Sequence, residues 1–152
     1  MFILIVGCGR VGSTVARASL KAGHTVSCLD EDAESHARLE LGLDRPWEDL
    51  GGRFTVGTGL EIDALVAAGI EKADVFIAST DGDNTNIIIA QIAQRRYDVP
   101  KVIARVLDPF RAEWYEKQGL QTICPTKVAI EMLLGEVKDA DNGSRAHTEA
   151  EA

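Results

Sequence analysis

Short apolar runs alternate with longer helical patterns along most of the chain. The first run, Phe2–Val6, contains no polar residue, which is typical of a strand buried on both faces of a parallel sheet. Five further strands are predicted from similar runs, at 25–29, 53–56, 74–78, 101–106 and 121–124. Apolar residues at helical spacing predict helices at 10–22, 31–41, 59–68, 83–97, 109–118 and 127–137.

Turn and capping residues mark the boundaries of these segments. Asp108 and Pro109 are a capping acid followed by a proline suited to the first helical position. Four predicted helices are followed directly by a glycine, at Gly23, Gly42, Gly69 and Gly119. Six strands that alternate with helices, without adjacent hairpins, predict a doubly wound α/β fold of the Rossmann type. Its sheet is expected to be six-stranded and mostly parallel, with helices on both faces.

The chain is predicted to form one domain and a tail. A length of 152 residues corresponds to about one domain. Residues 1–137 carry the alternating pattern, interrupted by one long irregular loop at 42–52. Residues 138–152 are polar and lack periodicity, so we expect them to be disordered.

Composition argues against several classes of partner. Lys and Arg together number 16 and Asp and Glu 24, which gives a net charge of −8 and no basic field for nucleic acid or anionic lipid. No apolar stretch approaches the length of a membrane span, and Phe2–Val6 is too short for the apolar core of a signal peptide. The cysteines are odd in number and lie in apolar runs, which favours reduced core thiols. We therefore expect neither nucleic-acid binding nor direct membrane insertion.

A glycine-rich loop after the first strand has the GxGxxG spacing of nucleotide-binding folds. In such loops the first glycine (Gly7) makes a tight turn, the second (Gly9) lets the backbone approach phosphate, and the third (Gly12) allows close helix–strand packing. Amides at the start of the next helix would hold the phosphate. That helix is predicted to turn Val11, Val15 and Ala18 toward the sheet. The candidate binding residues of the loop are Gly7, Cys8, Gly9, Arg10, Val11 and Gly12.

An acidic residue ends the second predicted strand. Asp30 lies 23 residues after Gly7, close to the roughly 20 expected for a ribose-binding acid. A carboxylate there can accept hydrogen bonds from both ribose hydroxyls and would repel the additional phosphate of NADP. This favours NAD(H), or a free adenine nucleotide such as ATP or ADP. The alternative is that Asp30 only caps the following helix.

Other polar residues are expected at the same edge of the sheet, each with two interpretations. Arg10 is either a guanidinium suited to a terminal phosphate or a solvated residue of the first helical turn. Ser79 and Thr80, after the fourth strand, either bind a ligand or belong to a turn that caps the next helix. Arg105, near the end of the fifth strand, either faces ligand phosphates or pairs with a carboxylate.

Residues for acid–base chemistry are not found near the predicted cleft. Tyr97 and Lys101 have the YxxxK spacing of short-chain dehydrogenases, but Pro100 must end the helix between them. The histidines are expected in a turn, on an exposed helix and in the tail, at His24, His36 and His147. The sequence therefore predicts a binding protein rather than an enzyme.

Four segments together resemble the TrkA-N, or RCK, domain family. They are GCGRVG, GHTVSCLDED, ADVFIAST with its DGDNTNI helix start, and KVIARVLDP, and the likeness extends from residue 1 to about 137. It implies a cytosolic nucleotide-binding subunit of a bacterial potassium transporter or channel, with Arg10 sensing the terminal phosphate. The implied contacts for NAD(H) or ATP/ADP are Gly7, Gly9, Arg10, Gly12 and Asp30.

The sequence departs from the family pattern in three places. The stretch 56–60 lacks the acid that is common after the third strand, and its threonine, a candidate adenosine contact, is shifted to Thr58. Thr126 stands where related proteins often carry an acid that takes part in cation binding, so no metal site is expected. Many members of the family continue into a C-terminal ligand-binding domain beyond the region that resembles this sequence.

The resemblance and the residue pattern together predict a regulatory protein. We expect nucleotide-dependent changes of shape, a membrane-embedded potassium transporter subunit as partner, and a cytoplasmic location at the inner face of the membrane. The alternatives are a small NAD-dependent oxidoreductase and a nucleotide-binding interaction module unrelated to ion transport. A homo-oligomer, a dimer or larger ring, is expected through the last helix, whose apolar residues exceed a single stripe: Val128, Ile130, Met132, Leu133, Leu134 and Val137.

Overall fold

Six parallel strands form one sheet at the centre of the molecule. The computed structural model describes the backbone of residues 1–150 and the side chains of residues 1–143. The strand order is β3-β2-β1-β4-β5-β6, with every neighbouring pair parallel, which confirms the predicted doubly wound Rossmann fold. The strands are β1 (Phe2–Val6), β2 (Thr25–Asp30), β3 (Arg53–Val56), β4 (Val75–Ala78), β5 (Lys101–Arg105) and β6 (Gln121–Ile123).

Helices connect the strands as the alternating pattern predicts. They are α1 (Arg10–Lys21), α2 (His36–Leu39), α3 (Ile62–Ala68), α4 (Asp83–Arg95), α5 (Pro109–Lys117) and α6 (Pro125–Ala150). The cap of α5 is confirmed, because the Asp108 carboxylate accepts hydrogen bonds from the backbone of Phe110 and Arg111 at 2.9 and 3.1 Å. The helix predicted at 31–41 is shorter than expected and consists of a 3₁₀ turn, Ala33–Ser35, followed by α2.

The two faces of β1 belong to two separate apolar cores. Ile3 and Ile5 pack into one buried cluster, and Leu4 and Val6 pack into the other. This alternation explains why the strand has no polar position, since both faces of a central parallel strand are covered. The carboxyl end of β1 is thereby fixed against neighbours on both sides.

Small residues let α1 pack closely on the sheet. The buried residues of the helix are Gly12, Ser13 and Ala16. The predicted face was wrong, because Val11 and Ala18 are exposed and Val15 is only partly buried. The helix lies so close to the end of β1 that a residue larger than glycine has no space at position 12.

The loop at 42–52 is more ordered than the sequence pattern predicts. It contains a 3₁₀ turn, Glu48–Leu50, and the fully buried side chain of Trp47. An added Cβ at Gly52 would lie 2.2 Å from the indole, so the loop closes tightly over this ring. Trp47 joins the same apolar core as Ile3 and Ile5.

The last helix is longer than predicted. It begins at Pro125 and continues to Ala150, so residues 138–150 are helical where the polar pattern predicts a disordered tail. The residues of this segment are mostly polar or charged and give the helix no apolar face there. Residues 151–152 lie outside the described residues, and a domain boundary at 137 stays a prediction.

Within residues 1–150, no helix combines the length and the apolar character needed to cross a membrane.

Candidate functional site

A cleft of about 530 Å³ opens at the carboxyl ends of β1, β2 and β4. The chain runs outward in opposite directions from β1, to β2 on one side and to β4 on the other. Such a reversal of strand order leaves a crevice at the carboxyl edge, which is where doubly wound sheets bind ligands. The topology therefore places a ligand site where the glycine loop and Asp30 lie.

Most of the predicted site residues meet in this cleft. Seven of them line it: Gly7, Gly9, Arg10, Asp30, Thr58, Ser79 and Thr80. Four of them do not: Cys8, Val11, Gly12 and Arg105. Cys8 is buried in the core, Val11 is exposed outside the cleft, and Gly12 is buried under the loop.

The first and second glycines of the loop have different roles in the structure. Gly7 adopts a left-handed φ of +95°, and an added Cβ would lie 2.5 Å from the backbone nitrogen of Thr80. Glycine is therefore required there both for the turn and for the close approach of the β4 end. An added Cβ at Gly9 meets nothing within 4 Å, so its backbone faces open space beside the cleft. A ligand can approach the chain at Gly9.

No side chain caps the start of α1 within the described part of the chain, because its N-cap is Gly9. Helix N-terminal amides without a cap attract anions such as phosphate. The Arg10 side chain extends from the same turn into the cleft lining, which adds a positive charge to these amides.

Asp30 connects the end of β2 to the glycine loop. Its Oδ2 accepts a hydrogen bond from the Cys8 amide at 2.6 Å, and its Oδ1 accepts one from the Asp32 amide at 2.9 Å. The capping role left open for Asp30 belongs to Asp32, whose Oδ1 accepts from the Glu34 amide at 2.9 Å. The Asp30 carboxylate is therefore oriented at the cleft wall before any ligand arrives.

A buried asparagine fixes the turn after β4, and the sequence pattern did not single it out. The amide of Thr80 donates to Asn86 Oδ1 at 2.9 Å, and Asn86 Nδ2 donates to the carbonyl of Arg105 at the same distance. Ser79 donates through Oγ to the Gly7 carbonyl at 2.8 Å. The signal that could have identified Asn86 is its polar side chain at a position on the buried side of α4.

Arg105 pairs with a carboxylate instead of facing the cleft. Its Nη2 donates to the Thr80 carbonyl at 2.7 Å and lies 3.5 Å from Asp81 Oδ1. These contacts hold the guanidinium behind the turn after β4, which explains why Arg105 is absent from the cleft lining. Of the two interpretations of this residue, the pairing with a carboxylate is the one observed.

A second arginine in the cleft was missed by the sequence analysis. Arg38 lines the cleft and donates from Nη1 to Ser35 Oγ at 2.9 Å. The signal was its position one helical turn after Ser35 in the segment that follows Asp30. Four carboxylates share the lining with Arg10 and Arg38: Asp30, Glu31, Asp32 and Asp81. An anionic ligand is therefore favoured only near the two arginines and the α1 amides.

A known protein family matches most of the chain. The family described as the TrkA-N domain matches residues 3–125. The chain belongs to the TrkA-N family.

Named relatives of this TrkA-N domain include transport proteins. The "Trk system potassium uptake protein TrkA" of Streptomyces coelicolor is 42% identical over 134 residues, which cover 88% of this chain and 57% of that protein. The chain thus spans little more than half the length of that relative.

Two solved structures share the fold. One, "Shewanella denitrificans Kef CTD in AMP bound form", has a TM-score of 0.72 and 23% identity, covering 99% of this chain and 88% of its own. The other, the GsuK RCK domain, has a TM-score of 0.74 and 18% identity, covering 93% of this chain and 29% of its own.

The ionisable groups that line the cleft of this TrkA-N domain are carboxylates and guanidinium groups. Among the described residues, the lining contains no imidazole, thiol, amine or phenol. Tyr97 and Lys101 lie at the amino end of β5, at the opposite edge of the sheet. A hydrogen bond with Cys8, together with burial, raises the pKa of the Cys28 thiol well above its ordinary value. That thiol is therefore protonated and a poor nucleophile.

Proposed function

We propose that this chain is the nucleotide-binding regulatory unit of a potassium-uptake system and binds an adenine nucleotide, NAD(H) or ATP/ADP, in the cleft. The observation that carries the proposal is the meeting of uncapped α1 amides, Arg10 and the oriented Asp30 carboxylate around one open space. The TrkA relative supports the transport role, and the AMP-bound Kef domain supports the class of ligand. The partner is a membrane-embedded transporter subunit, which this chain meets from the cytoplasmic side.

The cleft gives each part of the nucleotide a complementary group. The ribose hydroxyls donate to Asp30, and the phosphates lie on the α1 amides with Arg10 against their outer oxygens. Thr58, Ser79 and Thr80 also line the cleft. The proposal assigns Thr58 to the adenosine, while Ser79 and Thr80 shape the wall after β4. Arg105 acts on this wall indirectly, through its hydrogen bond to the Thr80 carbonyl.

The proposed mechanism is a change of shape and not a covalent reaction. A nucleotide shifts a conformational equilibrium only by the difference of its affinities for the two states, typically 1–3 kcal/mol for coupled sites. Phosphate bound at the glycine loop pulls on the start of α1. Ribose bound at Asp30 competes for the carboxylate that accepts the hydrogen bond from the Cys8 amide at the end of β2. These two elements carry the ligand's effect to the rest of the domain. Side-by-side binding assays with NAD, NADH, NADP, ATP, ADP and AMP test the proposal, and enzymatic turnover of any of them would contradict it.

Replacing Asp30 by Ala is expected to weaken binding of NAD and of ATP. Each lost hydrogen bond to a charged group costs about 1.5–3 kcal/mol, so the affinity should fall at least about tenfold. Discrimination against NADP should fall as well, because the repelling carboxylate is gone. Calorimetric titration of the variant with NAD and NADP measures both effects.

The control for this change is Glu31→Gln, which removes an exposed carboxylate from the same cleft lining. It should leave the preference for NAD unchanged. Thermal unfolding of both variants is needed as well, because Asp30 also holds the Cys8 amide. Equal affinity of the natural protein for NADP and NAD would contradict the role given to Asp30.

Replacing Arg10 by Ala is expected to weaken ATP binding more than AMP binding. Only ATP carries a γ-phosphate for the guanidinium to bind. A charge-assisted hydrogen bond of about 1.5–3 kcal/mol predicts a loss of at least about tenfold for ATP and a smaller one for AMP. Arg38→Ala, which removes the other guanidinium of the lining, is compared in the same assay to separate a specific contact from general positive charge. Equal losses for both nucleotides in the Arg10 variant would make Arg10 a solvated surface residue.

A further inference from the structure

Three metal-ligating side chains meet outside the cleft, where α2 faces the loop at 42–52. They are His36, Glu40 and Glu48, and each offers one ligand atom within 4.8 Å of the others. His36 begins α2 and Glu40 lies four residues later, so both project from the same side of this short helix. Glu48 begins the 3₁₀ turn of the loop.

The surrounding structure orients these side chains. The His36 ring packs edge-on against Phe54, with centroids 5.4 Å apart, and its Nε2 lies 2.7 Å from Glu48 Oε1. Glu40 accepts a hydrogen bond from the Trp47 amide at 3.3 Å. The indole of Trp47 is fully buried, so this amide is anchored to the apolar core. Metal sites depend on outer contacts of this kind, which hold the ligands in place.

The donor set indicates which ions fit. One imidazole and two carboxylates suit borderline divalent ions such as Zn²⁺, Co²⁺ or Ni²⁺, whereas Mg²⁺ and Ca²⁺ prefer oxygen donors alone. Two ligands at about 2.1 Å from Zn²⁺ can be no more than about 4.2 Å apart, so small side-chain movements close the cluster around an ion. Three protein ligands leave a fourth position for water.

We propose that His36, Glu40 and Glu48 form a site for one divalent transition-metal ion. The bound ion connects α2 to the loop at 42–52. It therefore stabilises the segment that also carries the cleft residues Ser35 and Arg38. None of the three ligands lines the nucleotide cleft, so the site exists whether or not the nucleotide proposal holds. The competing interpretation is a plain ion pair between His36 and Glu48.

Calorimetric titration of the protein with Zn²⁺, in the absence of nucleotide, tests the site. We expect one equivalent to bind and the unfolding temperature to rise with Zn²⁺ concentration. His36→Gln and Glu48→Gln should each weaken binding at least tenfold, whereas His24→Gln, a change at a histidine outside the cluster, should leave it unchanged. Absence of binding, or equal affinity in all variants, would overturn the proposal and leave only the ion pair.

Cobalt spectroscopy identifies the donor atoms independently. Co²⁺ at the proposed site should give visible d–d bands without the near-ultraviolet charge-transfer absorption of a thiolate ligand. The bands should disappear on addition of excess Zn²⁺ and be absent from Glu48→Gln. A thiolate band, or loss of Co²⁺ binding in Cys124→Ser, would place the ion at a cysteine and overturn the assignment.

Discussion

Gly12→Ala is expected to destabilise the domain by at least about 3 kcal/mol, a large part of the roughly 5–15 kcal/mol that is typical of a domain's stability. The added Cβ would lie 1.9 Å from the carbonyl oxygen of Gly7 and 2.8 Å from Ser79 Oγ. The nearest obstacle is backbone of the glycine loop, which cannot move without breaking the turn. Overpacking in a rigid core usually costs 1–3 kcal/mol, and a clash with backbone lies at or above the upper end. Urea denaturation followed by circular dichroism measures the loss.

Gly9→Ala is the matched control within the same loop. Its Cβ meets nothing within 4 Å, and its φ of −70° is allowed for alanine. We expect a loss of no more than about 1 kcal/mol, the cost of a poorer N-cap residue, while nucleotide binding weakens because the methyl group occupies the phosphate approach. Equal destabilisation by the two variants would show that close packing of α1 on β1 is not the reason why position 12 requires glycine.

The strand pattern predicted the sheet well, for a physical reason. A parallel sheet covered on both faces needs continuous apolar runs, and such runs are visible without knowledge of their partners. It is harder to predict from sequence which face of a helix is buried, as α1 shows. Val11 is apolar but lies on the exposed face of α1, while Ser13 is polar but buried. The short distance between helix and sheet leaves room only for small side chains on the buried face, whether they are apolar or not.

Positions that a backbone motif fixes are easier to predict from sequence than the partners of a charged side chain. The glycine loop and Asp30 follow from a spacing that the fold itself imposes. The place of Arg105 depends on its partner Asp81, which lies in a different segment of the chain, and the sequence does not show that the two segments meet. For the same reason the His36–Glu48 contact, between α2 and a loop, was not predicted.

The exposed surface of α6 is consistent with the homo-oligomer that the sequence analysis expects. Every α6 residue from Thr126 to Leu134 is exposed in the isolated chain, as is Val137, so this part of the helix is not packed on its own domain. An apolar stripe at helical spacing that meets no core of its own marks a partner surface. The stripe is formed by Ile130, Leu133, Leu134 and Val137.

Leu133→Asp is therefore expected to convert the oligomer to monomers. Leu133 is 68% exposed in the isolated chain, and in a symmetric dimer each substitution acts twice, once in each protomer. Two charges buried in an apolar interface should raise the dimer dissociation constant at least about 100-fold. Met132→Asp is the matched control, because Met132 is 69% exposed but projects from another side of the helix. Analytical ultracentrifugation across a range of concentrations measures the change. A natural protein that is monomeric at tens of micromolar would contradict the assembly, and a stronger effect of Met132→Asp would place the interface on the other side of α6.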